Sequence, residues 1–383
     1  MRADTLGERL QRARVVAGLS RAKVAKELDV SRAELSRIER GRRRVSTLEL
    51  SRMARLYRKP TSRCLVEPAG IPVVRYFPSA HRVDERDLMV IQEVGDWFDY
   101  YAWLERAAFG EQRHELPTYP LPSGDAVEQG ESLAREERSR LGLGDDGSIP
   151  SMVALLEEQG AKVMVQDFRP RSRVLGCYLL SESLGPCVIV NRRHPPARRR
   201  LDAAHEYAHL LVEQDDVTGQ VCDPSREHAR DELRANAFAA AFLLPAGGIA
   251  AALEELGAGT GQVTPEQAVA LSYDFGVSYH AIVARLADLG WIGEKGRRRL
   301  ERRARVARRH APAGESGVPG DTESEPARFR SVAVEAWHAD QISTPKLADL
   351  LDLPSAAVRL LLNRPLLDPE RSSSAPSSEP DWL

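Results

Sequence analysis

Five residues, His205-Glu206-Tyr207-Ala208-His209, constrain this chain more than any other feature. On a helix, side chains four positions apart stack on one face, so both imidazoles reach a single point beside it. Two histidines held in that way, with a glutamate between them, match the needs of a metal-activated hydrolytic centre. The metal lowers the pKa of a water and polarises a carbonyl, while Glu206 is placed to take the proton. Such a centre also needs a third protein ligand and one open position. Glu232 leads, because it lies on the next strong helical stretch, Glu227–Leu244, 23 residues beyond His209. Asp231, Glu227 and His228 are alternatives, and Cys222 is a weaker one. Zinc is the expected metal, with manganese as the alternative.

The surroundings of the motif agree with this reading. Arg198–Glu213 is strongly helical. Before it come three β-rich runs, Lys162–Phe168, Val174–Leu180 and Cys187–Asn191, separated by turn-forming segments, which predict a small antiparallel sheet. Tyr178, Tyr207 and His280 are candidates for stabilising a developing oxyanion.

The charge of the chain is divided. A net charge of −2, from 54 Lys/Arg and 56 Asp/Glu, averages two unlike regions. Residues 1–63 hold 18 Lys/Arg against 7 Asp/Glu, and the rest holds 36 against 49. The basic end reads as short helices. Leu6, Leu10, Ala13 and Ala17 recur at helical spacing, Gly18 breaks the pattern, and Ser20 can cap the next helix. Ser31 with Glu34 fits a capping box, and Gly41 suits a left-handed stop. Thr47–Tyr57 is a further amphipathic helix. Leu19–Gly41 thus has the form of a helix-turn-helix whose second helix, about Arg32–Arg40, enters the major groove of an operator in double-stranded DNA. Its DNA-facing set is Ser31, Arg32, Ser36 and Arg37, with Arg37 able to pair bidentately with guanine. Arg21, Arg42, Arg43 and Arg44 meet phosphates. Operator-binding proteins of this form are commonly dimers, so a homodimer is expected.

The remaining stretches carry weaker signals. Pro68, Pro72 and Pro78 mark an extended connector, 84–109 is helical and aromatic, and 115–130 reads as loop. Thr264-Pro265 starts a helix. Leu271–Gly290 has a second helix-turn-helix form, but its charges are sparse and a structural role is favoured. Lys295–Arg309 holds nine Lys/Arg; the bland reading is a solvated helix face, the sharper one a second nucleic-acid contact. The expected division is 1–62 DNA-binding, 63–147 helical connector, 148–294 metal-bearing domain, 295–328 basic segment and linker, 329–365 small helical C-terminal unit suited to association, and 366–383 disordered tail. Four cysteines without a CxxC pair argue against a disulfide framework. No long apolar run or leader pattern is present, so no membrane partner is expected and a cytoplasmic location is.

Residues 4–59 resemble the Xre-type helix-turn-helix family, which usually has Gln where this chain has Arg21. Val188-Ile189-Val190-Asn191, Arg199-Arg200, Ala204 with the motif and Leu210-Leu211 resemble the ImmA/IrrE family of metallopeptidases. So do Glu232-Leu-Arg-Ala-Asn236 through Pro245 and Phe275-Gly-Val-Ser278 through Gly290. That family often has Leu-Gly where this chain has Tyr207-Ala208. The resemblance covers roughly 150–292. It implies Glu232 as third ligand, and a gluzincin-like α+β unit alongside the all-α N-terminal domain in a mainly helical, multidomain chain. It further implies a zinc-dependent endopeptidase that cuts a partner helix-turn-helix repressor in a stress or mobile-element response. The alternative is a non-catalytic repressor or antitoxin that uses the fold as a sensor or structural unit.

Overall fold

The computed structural model describes residues 6–57, 59, 61–65, 83–110, 116–169, 172–181, 183–212, 218–222, 229–259, 262–310, 327–351 and 353–362. Five helices form the N-terminal domain: α1 (Leu6–Val16), α2 (Arg21–Leu28), α3 (Arg32–Glu39), α4 (Thr47–Tyr57) and α5 (Thr61–Leu65). The caps legible in the sequence are formed. Ser20 Oγ accepts from the Lys23 amide, and Ser31 and Glu34 close a reciprocal box across the start of α3. Asp29 takes the left-handed conformation at the tight connection, with φ 57°. Leu10, Val24, Leu28, Leu35, Ile38 and Met53 fill the core. A Cβ on Gly7 would overlap the Ile38 carbonyl, so glycine is what lets α1 approach the end of α3.

The rest of the described chain is built around one sheet. Its strands are β1 (Lys162–Gln166), β2 (Gly176–Ser181), β3 (Gly185–Asn191) and β4 (Thr218–Cys222), in the order β1-β3-β2-β4. β2 pairs antiparallel with β3 and with β4, but β1 pairs parallel with β3. The sheet is therefore mixed rather than wholly antiparallel. β2 and β3 are joined by a short turn between Ser181 and Gly185. β1 and β2, consecutive in the chain, are not neighbours: β3 lies between them. β4, which follows the motif helix, was not anticipated from the sequence.

Both faces of the sheet are covered, which explains why its strands read as continuous apolar runs. Val163, Val165, Tyr178, Val188 and Val190 pack into the core that holds the motif helix α9 (Pro196–Val212) and α10 (Arg230–Leu243). Met164, Cys177, Leu179, Cys187 and Ile189 belong to the opposite core, with α6 (Glu85–Phe109). The remaining helices are α7 (Ala126–Arg140), α8 (Met152–Glu158), α11 (Ala246–Glu255), α12 (Pro265–Asp274), α13 (Tyr279–Asp288), α14 (Glu294–His310), α15 (Ala327–His338), α16 (Thr344–Leu350) and α17 (Ser355–Leu362).

One expectation about the connector changes. Residues 126–140 are helical, begun by an Asp125–Glu128 capping box, where the sequence reads as loop up to 130. This helix lies against α10 so closely that a Cβ on Gly130 would overlap the Arg234 carbonyl. It belongs to the core that holds the motif helix. In the C-terminal unit, Phe329, Val332, Ala333, Ala336 and Leu347 join the core that holds α6, while Leu360 is exposed. Phe329 meets Trp97 and Tyr101 of α6 with ring centroids 4.9 and 5.2 Å apart. The N-terminal domain also rests on α6, through Arg12 and Asp96 at 2.9 Å. Pro68, Pro72, Pro78, most of the expected linker and the expected tail lie outside the described residues. Among the described residues, no single helix is long and apolar enough to cross a membrane. The bent pair α10–α11 passes by composition alone, and its Phe238, Phe242, Ile249 and Leu253 are core residues.

Candidate functional site

The motif helix is held from both sides. Near its start, the buried Arg200 guanidinium donates to the Pro150 carbonyl at 3.2 Å and also reaches Ile149 O. On another face, the Tyr207 hydroxyl donates to Glu137, which also accepts from Tyr119 at 2.7 Å and from Arg140 at 2.7 and 2.6 Å. Burial and this carboxylate push the Tyr207 hydroxyl well above its ordinary pKa. Tyr207 is thereby bound into a core network, which removes it from the oxyanion candidates. Its position within the five-residue motif serves packing and anchorage. His280 is exposed on α13, its ring set edge-on to Tyr279. Tyr178 does reach the centre: its ring stacks on His209, with centroids 4.9 Å apart and planes 11° from parallel.

His205, His209 and Glu232 come together as a buried cluster in which one ligand atom from each lies within 4.8 Å of the others. His205 Nε2 lies 3.1 Å from Glu232 Oε2 and 3.2 Å from His209 Nε2. Glu232 is brought there by α10, the helix packed beside the motif helix. Asp231 is not part of the cluster. Glu227, His228 and the side chain of Cys222 lie outside the described residues.

The donor set suits a divalent metal. Asn236 Oδ1 lies 3.1 Å from His205 Nδ1, an arrangement that puts the proton on Nδ1 and leaves the Nε2 lone pair facing the cluster. Burial holds the His205 pKa below its ordinary value, although Glu232 pulls it up, so the neutral, ligating form is favoured. Asn236 sits four residues after Glu232, on the same face of α10, and that spacing is the signal by which its role could have been read from the sequence.

Glu206 is fully buried. A Cβ on Gly176, the first residue of β2, would overlap its Oε1. The sheet therefore begins with a glycine where the glutamate approaches it. Nothing in the strand pattern marked Gly176; the requirement exists only once β2 and the motif helix are packed together.

The N-terminal residues divide into two groups. Arg32, Arg37, Arg42 and Arg44 are exposed, while Ser36 is half-buried on α3. Ser31 is exposed, and its hydroxyl accepts the Glu34 amide at 3.1 Å. Arg21 Nε lies 2.7 Å from Glu39 Oε2, and the fully buried Glu39 also meets Arg14. Arg43 donates twice to Glu49 Oε1 at 2.8 Å. Arg21 and Arg43 thus make ion pairs within the domain, so reaching a phosphate would exchange or share those contacts.

Comparison with known families agrees with both halves. Residues 5–63 match the helix-turn-helix domain family. Residues 156–287 match the IrrE N-terminal-like domain family, a peptidase family. No curated protein matches the chain. The chain therefore carries a helix-turn-helix domain at its N-terminus and an IrrE N-terminal-like domain around the histidine–glutamate cluster.

Proposed function

We propose that this chain is a DNA-binding regulator whose second domain is a zinc-dependent endopeptidase, cutting a partner helix-turn-helix repressor. The observation that carries this reading is the buried His205–His209–Glu232 cluster, with Glu206 between the two histidines, in a chain that also carries a DNA-binding domain. A metal held by the three ligands would supply Lewis acidity toward a peptide carbonyl and a water. Glu206 accepts the proton of the attacking water on its carboxylate and passes it to the departing amine. Asn236 fixes the His205 ring, and Tyr178 stacks on the His209 ring.

β4 offers the docking edge. It is an outer strand of the sheet, and its neighbour β2 begins at the Gly176 that abuts Glu206. An extended substrate segment adding to β4 would gain main-chain hydrogen bonds and align a scissile bond near Glu206.

Glu206→Gln keeps the ligands and the DNA-binding domain but removes the proton acceptor. Proteolysis is expected to fall by at least ~100-fold, with zinc content and DNA binding unchanged. Comparison by mass spectrometry of cells holding wild type or Glu206→Gln identifies the substrate as the fragment made only by wild type. Equal fragments in both strains would rule out Glu206 as the base.

The depth of the site favours a second reading. Glu206 at 0%, His209 at 1% and Glu232 at 3% exposure would also suit a domain that senses a metal and alters DNA binding without hydrolysis. Metal-dependent operator affinity, with no cleavage of any helix-turn-helix partner, distinguishes that regulator from the endopeptidase.

A further inference from the structure

We propose that the exposed side of α14 is a second DNA contact, gripping the phosphates of double-stranded DNA independently of the N-terminal reading helix. Residues 295–309 hold nine Lys/Arg and one acidic residue, Glu301. Such a run at a domain end could be a loose tail, but α14 is anchored. Leu300 is fully buried, its carbonyl accepts the Tyr279 hydroxyl at 3.2 Å, and Arg299 Nη2 donates to the Val263 carbonyl at 3.0 Å. The helix packs on α12 and α13, the pair with the second helix-turn-helix form in the sequence.

Anchorage fixes which side faces out. Lys295, Arg297, Arg298, Arg302 and Arg303 are exposed. Arg297 pairs with Glu301 and Arg298 with Glu294, both at 2.9 Å. These pairs are exposed and contribute little, so a phosphate can displace the carboxylate. A helix of 17 residues is about 25 Å long, enough to run past several phosphates of a duplex.

The side chains also select among polyanions. A membrane-surface helix needs an apolar face to lay into lipid, whereas Leu300 faces the protein core. Single-stranded nucleic acid is held by aromatic platforms, and residues 294–310 contain no Phe, Trp or Tyr. Exposed cations on a helix whose buried Leu300 is turned to the protein fit the backbone of a duplex, which is bound by charge and without regard to sequence. Within the N-terminal domain, Arg14, Arg21 and Arg43 are engaged by Glu39 and Glu49, so a separate source of phosphate contacts adds materially to DNA affinity.

The test uses the full chain and a labelled duplex of arbitrary sequence, with fluorescence anisotropy measured across a salt series. The variant Arg298→Gln/Arg302→Gln/Arg303→Gln should bind about tenfold or more weakly at moderate salt. The slope of log affinity against log salt should flatten by about 2 to 3, as expected for three lost phosphate contacts. Lysine at the same three positions should restore most of the binding. A separate variant, Arg32→Ala/Arg37→Ala, should keep, on the same duplex, the salt-dependent binding that the α14 variant loses, so the two DNA contacts are judged independently. Thermal melting followed by circular dichroism checks that each variant is folded. Unchanged affinity and salt slope in a folded glutamine variant would overturn the proposal. So would a defect confined to anionic phospholipid vesicles or to duplex RNA.

Discussion

The two faces of the central sheet each support a buried polar cluster, and the clusters solve their electrostatics in opposite ways. On the α6 side, Lys162 Nζ meets Glu105 Oε2 at 2.6 Å, and Arg328 meets Glu105 Oε1 at 2.9 Å. Lys162 also donates to the Leu184 carbonyl at 2.7 Å. The Glu105 carboxylate of α6 is thereby shared by cations from β1 and the start of α15. On the motif-helix side, two imidazoles and the Glu232 carboxylate direct ligand atoms at one another, with a second carboxylate, Glu206, alongside. Burial favours such a set when a cation joins it. One buried polar cluster therefore ties elements together, while the other gathers the donors that a divalent metal requires.

The largest expected effect tests that contrast directly. Zinc at about 1,000 times its Kd should stabilise the wild type by about 4 kcal/mol, because only the folded state presents the site. Glu232→Ala should lose that gain. Urea denaturation with zinc and with a chelator measures both, and an equal zinc response in the two proteins would remove Glu232 from the ligand set.

Glu105→Ala should cost about 3–5 kcal/mol, because it leaves Lys162 buried without its carboxylate. Zinc should not change that difference. Replacing the triad by Lys162→Met, Glu105→Leu and Arg328→Met should fall within about 2 kcal/mol of wild type. A small loss for Glu105→Ala alone would show that the triad is more hydrated than its burial implies.

What could be read from the sequence follows the same division. The metal cluster was legible because helical spacing puts His205 and His209 on one face, and because Glu232 lies on the next strong helix. The capping boxes at Ser31 and Asp125 are local, yet only the first was recognised, since the prolines and glycines around 117–124 drew the second into a loop. The Lys162–Glu105–Arg328 triad was invisible: its members are far apart in sequence and follow no motif. The parallel pairing of β1 with β3 was missed for a related reason, because strand-and-turn patterns locate strands but not their neighbours. The aromatic helix α6 was recognised as a helix. Its place beneath the sheet could not be recognised, since burial on that side depends on α15 more than two hundred residues later.

A smaller effect should come from Asn236→Ala. Removing the acceptor at His205 Nδ1 frees the ring to rotate and to change tautomer, which should weaken zinc about 10- to 100-fold. Competition with a chromophoric chelator reads that change. Glu105→Ala, if it folds, should show no comparable loss of affinity, because its contacts lie across the sheet from the ligands. Equal weakening by both would show that the two faces are coupled.

The smallest effect belongs to the α6 side and depends on pH. Burial, reinforced by Asp96 and opposed by Arg106, pushes the Asp99 carboxyl up to about 6. A raised folded-state pKa means that protonation favours the folded protein. That contribution is complete below the unfolded value near 4 and is lost as pH rises through 6. Asp99 is half-buried, so solvent screening reduces the full shift to about 1 kcal/mol. Asp99→Asn should therefore match wild type near pH 4 and exceed it by about 1 kcal/mol above pH 7. Parallel urea titrations from pH 4 to 8 give the difference. A chelator should leave it unchanged, because the charge responsible sits on the opposite side of the sheet from the metal ligands. A pH-independent difference would instead assign the effect of the substitution to packing along α6.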